Sequence, residues 1–191
     1  TLTQNTQRVR KIWLNHKGSL PSLLKACILG NTASLIQKTD KGSFDIVGSK
    51  TDGALLLFAK TQFKDIEKIK SAGKVIDEYS FDPDRKTITT VFGENGKRNV
   101  FVRGAPEAIL ENSKLEKGEK ESIITLFEEY AREGLRVIGF GTKLESHPSL
   151  DREHIEKDLD FLGFVGIYDP PRLEAKQAVE KARIAGIRTI M

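Results

Sequence analysis

The chain of 191 residues carries 31 lysines and arginines against 27 aspartates and glutamates, a net charge of +4, with 38% hydrophobic residues. That balance fits a soluble globular chain rather than a disordered one and leaves room for one generous domain, or one domain with pieces of a second. A lone cysteine, Cys27, excludes an internal disulfide and a cysteine-built metal site, so a reducing compartment is expected.

No apolar run reaches the length of a bilayer crossing, and the opening "TLTQNTQRVRKIW" has no signal-peptide core and starts abruptly, as a cut fragment would. "QRVRKIWLN" has the β-branched and aromatic content of a short strand or a linker into a domain. In "SLPSLLKACILGNTASLI" the residues Leu20, Leu23, Leu24, Cys27 and Ile28 share one helical face. The following "NTASLIQKTDKGSFDIVGSK" is polar and turn-rich and reads as connecting structure. "TDGALLLFAKTQFKDIEKIKSAG" predicts one or two helices closed by Gly73, with the run Ala54–Ala59 buried.

Three strand-like runs follow: "KVIDEYSF", "RKTITTVFG" and "KRNVFVRG". The last two are joined by "ENGK", whose Asn-Gly pair favours a tight hairpin, so the middle predicts an antiparallel meander. "RGAPE" then leads from a strand into a helix whose first turn suits proline. There a cation at a strand end, a bare backbone at Gly104 and a helix start compose a plausible anion seat, beside the plain reading of a strand-turn-helix joint. "EKESIITLFEEYAREG" is a strongly amphipathic helix with Gly134 as its stop. "LRVIGFGTKL" and "LDFLGFVGIYD" are two more strands, separated by the charged surface connection "ESHPSLDREHIEKD". The end, "DPPRLEAKQAVEKARIAGIRTIM", predicts a turn, a helix stopped by Gly186 and the start of a strand, an order proper to a parallel α/β sheet.

Six motifs, "TLT", "KTDGALL", "FDPDRK", "FVRGAPE", "GLRVIGFG" and "YDPPR", occur in a fixed order that spans essentially the whole chain. In that order they resemble the cytoplasmic part of a P-type cation-transporting ATPase, in pattern most like the calcium-pump branch. The resemblance implies an α+β fold, an antiparallel β-sheet flanked by helices, with short α/β flanks from the phosphorylation domain. Residues 1–8 would be the first flank, 9–165 the nucleotide-binding domain, and 166–191 the hinge and second flank. The family's phosphorylated aspartate lies in Asp-Lys-Thr-Gly directly before Thr-Leu-Thr, so it would fall just upstream of Thr1.

The same resemblance implies site residues. Phe81 would stack on adenine, and Lys86 would supply a point charge near the nucleotide. Asp52, where the family usually has glutamate, would accept a hydrogen bond from the adenine amino group. Its plain alternative is a carboxylate favoured by a helix start. Arg103 replaces the family's usual lysine as the cation lining the pocket, and Gly104 would let the nucleotide lie against backbone. Arg136 would reach the phosphates, and Asp169 belongs to the hinge. ATP and Mg²⁺ are the implied cofactors. The implied partners are the phosphorylation, actuator and transmembrane domains of the same parent chain, making this a cytoplasmic domain of an integral membrane protein.

Two rival readings remain. A phosphohydrolase of the haloacid-dehalogenase type fits the α/β ends but needs a nucleophilic aspartate within the chain. A nucleic-acid module fits the basic excess, but the charge is scattered among acids rather than gathered into a stripe, so no nucleic-acid partner is expected. His16, His147 and His154 lack the spacing of metal ligands.

Overall fold

A computed structural model describes residues 3–37, 44–63, 65–146 and 151–190. In chain order the elements are β1 (Arg8–Leu14), α1 (Leu20–Ile28), β2 (Ser34–Gln37), β3 (Phe44–Val47), α2 (Lys50–Gln62) and α3 (Ile66–Ser71). Then come β4 (Lys74–Asp82), β5 (Thr87–Glu94), β6 (Lys97–Gly104), α4 (Pro106–Glu111), α5 (Lys117–Arg132), β7 (Arg136–Glu145), α6 (Arg152–Ile155), β8 (Asp160–Tyr168) and α7 (Leu173–Ile184). Six strands form one antiparallel sheet in the order β1-β8-β7-β6-β5-β4, with helices on both faces.

The "ENGK" hairpin forms as the sequence predicts, with Asn95 at φ 53° and Gly96 at φ 73°. Both central residues of such a turn need positive φ, which asparagine and glycine tolerate best. β5 and β6 lie inside the sheet, where both faces are covered, and the middle of each run is accordingly buried without alternation.

Side-chain alternation divides the apolar residues between two cores. Phe92, Phe101, Phe140, Val165 and Ile167 pack beneath α1, α2 and α3 with Leu23, Cys27, Leu55 and Ile66. Val91, Val100, Val102 and Phe164 pack on the opposite face with Ile109, Leu110, Ile123 and Ile155. Each large side chain so buried contributes roughly 1.5–3 kcal/mol.

Three expectations are corrected. The polar stretch after α1 is not merely connecting structure, because it supplies the antiparallel ribbon β2–β3. The charged connection before β8 contains the single turn α6, with Ile155 wholly buried. Residues 187–190 form no strand. A strand exists only through a hydrogen-bonded neighbour, and no described strand adjoins them. α7, which precedes them, has no buried residue.

Candidate functional site

Phe81 sits near the end of β4, the edge strand, on a local irregularity. Tyr79 pairs with Thr89 and Asp82 with Thr87, so Ser80 and Phe81 together face the single residue Ile88. Such a bulge bends the strand and re-aims a side chain. Thr87 lies on the α4–α6 face, where it bonds to Glu156, so alternation puts Ile88 and Phe81 on the α1–α2 face. There the Phe81 ring is 58% exposed.

The turn after Phe81 is held by Asp82. Its Oδ1 accepts from the backbone N–H of Asp84 (2.9 Å) and Arg85 (3.1 Å), and these two bonds are the main reason its carboxyl titrates below the usual range. Lys86 closes the turn in the left-handed region, at φ 56°, donating its N–H to the Asp82 carbonyl at 2.7 Å.

Arg103, across β5 from Ile88, shares the face of Phe81 but not its exposure. It is 4% exposed, and its guanidinium grips Asp52 through two bonds, Nη1 to Oδ1 at 2.9 Å and Nη2 to Oδ2 at 3.2 Å. Nη2 also donates to the Gly30 carbonyl at 2.9 Å. Asp52 is 7% exposed and accepts in addition from the Thr32 backbone N–H (3.2 Å) and hydroxyl (2.8 Å). Asn31 ties the same loop to the Asp52 and Cys27 carbonyls. A planar fork matches a carboxylate in this way, which an ammonium does not. The structure thus corrects the picture of an open cation and an open carboxylate: Asp52 and Arg103 are each other's partners, beneath the surface. Cys27 lies near this pair, and burial pushes its thiol up to about 12, with the Arg103 charge pulling the other way.

Gly104 is needed for a different contact than the sequence suggests. A Cβ there would stand 2.1 Å from the Lys86 carbonyl oxygen and 2.9 Å from the Thr87 Cα. The missing side chain admits protein backbone, and Ala105 N–H donates to that same Lys86 carbonyl at 3.0 Å. The Lys86 ammonium is exposed and lies 3.6 Å from Glu107 on α4.

Arg136 opens β7 three residues beyond Gly139, which pairs with Gly104. Arg103, across β5 from Ile88, pairs with Phe140, so three strand spacings of ~4.8 Å and four residues of ~3.4 Å put Phe81 and Arg136 on the order of 20 Å apart. Arg136 pairs with Ile167 of the α1–α2 core and donates to the Thr51 hydroxyl at 3.1 Å, so the start of α2 touches both arginines. Asp169 lies apart from this cluster: its carboxylate accepts from the Thr6 N–H at 3.2 Å, lashing the incoming chain to the outgoing one. Gln4 N–H to the Pro170 carbonyl (2.9 Å) and Arg172 Nε to the Thr3 carbonyl (3.1 Å) reinforce that seam.

Sequence reasoning missed a second network, behind the turn. Glu156 is 5% exposed and accepts from the hydroxyls of Thr87 and Thr89 and from Arg152 Nε. Arg152 donates onward to the carbonyls of Ser80 (3.3 Å) and Thr87 (3.0 Å). The four-residue spacing of Arg152 and Glu156, legible in "DREHIEKD", is the signal that could have found it. A cavity of about 240 Å³ opens beside it, lined by Arg85, Lys86, Glu107 and Asn112, on the face away from Phe81.

A family profile described as "P-type ATPase, cytoplasmic domain N" matches residues 19–174. The chain is 37% identical to the sodium/potassium exporting P-type ATPase cta3 of Schizosaccharomyces pombe, over 88% of this chain and 17% of that protein. It is 32% identical to a calcium-transporting ATPase of Bacillus subtilis, over 97% of this chain and 22% of the relative. A calcium-transporting ATPase of Bacillus cereus is 31% identical over 100% of this chain and 23% of its own length. The chain therefore spans only 17% to 23% of these relatives. With more than half of the chain matched by the profile and a six-stranded antiparallel sheet flanked by helices, the chain belongs to the P-type cation ATPases, as their cytoplasmic N domain.

Proposed function

We propose that this domain binds ATP and, in a cation-transporting parent protein, presents the γ-phosphate to an aspartate of the phosphorylation domain. The observation that carries the reading is the Phe81 ring, 58% exposed and turned by a strand bulge onto the same face as Arg136. An aromatic face in water is a stacking platform for a base, worth roughly 1–3 kcal/mol. Ile88 and the buried Asp52–Arg103 pair lie on that face between ring and arginine, and Arg136 supplies positive charge there. The names of the relatives, which speak of calcium and of sodium and potassium, support cation transport as the parent's activity.

The phosphoryl group would pass to the parent's aspartate by covalent catalysis, once closure of the two domains brings donor and acceptor together. Residues 1–8 and 166–191 would be the flanks leading to that second domain, with residues 9–165 holding the nucleotide and Asp169 at the hinge. The actuator and transmembrane domains would complete the parent, and this chain would lie on its cytoplasmic side. Mg²⁺ would offset phosphate charge. Among the described residues no three His, Cys, Asp or Glu side chains converge to hold an ion, so the metal would arrive with the phosphates, and no step depends on this chain ligating it.

Titration with ATP, followed through the amide signals of Phe81, Gly104 and Arg136, tests the reading. Binding at millimolar nucleotide that weakens about 5- to 150-fold in Phe81→Ala, the equivalent of the lost stacking, is expected. Unmoved signals at that concentration would refute it.

A further inference from the structure

The Phe81 ring is carried by a weak piece of the fold. β4 is the edge strand, most of its residues are exposed, and the ladder is interrupted at Ser80–Phe81. A bulge leaves its extra residue without a ladder partner. What holds this segment comes from the other side of the sheet. Arg152 donates from Nη1 to the Ser80 carbonyl and from Nη2 to the carbonyl and hydroxyl of Thr87, one residue-group on each side of the turn. Its guanidinium also lies 5.5 Å from the centre of the Tyr79 ring and 3.6 Å from the Asp82 carboxylate. Glu156 fixes Arg152 in turn, through Nε at 2.9 Å, while Thr87, Thr89 and Arg85 approach the same carboxylate.

We propose that Arg152 and Glu156 are positioning residues for nucleotide binding: from the far face they hold the bulge that presents Phe81, touching no nucleotide themselves. The proposal rests on the nucleotide reading above and adds to it which residues set the pose of the ring. One planar fork spans Ser80, Thr87 and Glu156, so the carbonyl before Phe81 and the strand after the turn are fixed to a common point. A lysine, with a single ammonium, reaches one of these at a time. The low exposure of Glu156 makes the arrangement stiff, because its lone pairs have no water to turn to.

The test is a double-mutant cycle in the isolated domain, with ATP affinity and thermal unfolding measured on every variant. Arg152→Lys keeps the charge and the fold; it is expected to weaken ATP about fivefold or more, and to shift the Phe81 ring signals before nucleotide is added. In a Phe81→Ala background the same change is expected to alter affinity by less than about twofold, since distant independent effects add and coupled ones do not. Thr89→Val, which removes a Glu156 partner without touching Arg152, is expected to act in the same direction. Equal loss of affinity in both backgrounds, or a lowered melting temperature with unchanged affinity, would show a merely structural role and overturn the proposal. If the unmodified domain binds no ATP, the nucleotide reading falls and this inference with it. If it binds ATP and loses affinity in Phe81→Ala but not in Arg152→Lys, only the inference falls.

Discussion

Replacing Asp52 by alanine removes four hydrogen-bond acceptances at once, two from the Arg103 guanidinium and two from Thr32. The consequence is set by what remains. Arg103 does not lose its charge at any ordinary pH, and at 4% exposure its only surviving described partner is the Gly30 carbonyl. Breaking a buried pair from one side costs roughly 3–5 kcal/mol, because an uncompensated charge stays behind. A domain of this size shifts its melting temperature by ~2–4 °C per kcal/mol, so Asp52→Ala should melt roughly 6–20 °C lower. Removing both charges should hurt less. In Asp52→Ala/Arg103→Met the stranded cation is gone, and an apolar stem of similar length fills the site, so much of the loss should return. Thermal and urea unfolding followed by circular dichroism and Trp13 fluorescence measure both. If Asp52→Ala melted within ~2 °C of the unmodified domain, water must reach Arg103, and the sealed pair described above would be wrong.

Gly104→Ala should cost about 1–3 kcal/mol, since the new methyl meets two backbone groups of the neighbouring strand that have nowhere to go; an unchanged melting temperature would contradict the contact. Cys27 should resist alkylation in the folded domain at pH 8 and react on unfolding. Its folded thiol titrates near 12 against an ordinary 9.0, so above pH 9 the unfolded chain releases a proton that the folded one keeps. Its contribution to stability is therefore full below pH 9 and lost as pH climbs toward 12. Cys27→Ala should flatten that part of the pH–stability curve, and an identical slope would exclude the thiol as its source. Salt should weaken ATP binding through the exposed Arg136 while leaving adenosine binding nearly unchanged. Equal salt sensitivity for both ligands would place that cation outside the site.

The strands and long helices were legible because each carries a periodic apolar face or a turn signal strong enough to survive without context, as in "ENGK" and α5. β2 and β3 were not, since each is four residues long and mostly exposed, and too few side chains face a core to set a period. α6 hid for the opposite reason. Its half-buried Arg152 and the buried Glu156 that caps it are charged, and charge in a short run reads as surface until the two are seen to neutralise each other.

The site divides along the same line. The position of Phe81 and Lys86 at a bend follows from local turn chemistry, so "FDPDRK" could locate it. That Asp52 and Arg103 cancel each other is a contact across 51 residues, and nothing within either segment reveals it. Gly104 stands between these cases: its sequence context announces a close approach, while the approaching group, the carbonyl of Lys86, is visible only once β5 and β6 are in register.

The self-neutralised pair beneath the face of Phe81 has consequences for how a nucleotide would be held there. A free carboxylate at Asp52 would repel the phosphates of a ligand stacked on Phe81, and a free guanidinium at Arg103 would compete with Arg136 for them. Paired, the two leave this part of the surface close to uncharged, and the positive charge on the Phe81 face comes from Arg136. The ring supplies roughly 1–3 kcal/mol, and an exposed cation contributes no more than ~1 kcal/mol. Their sum reaches at most the ~4 kcal/mol that corresponds to millimolar affinity. Weak attachment at the base end, with little directional bonding from the surface beneath it, would suit the proposed task of delivering the far end of the ligand to another body. Tight binding of the phosphates here would have to be undone before transfer, at a cost added to the barrier.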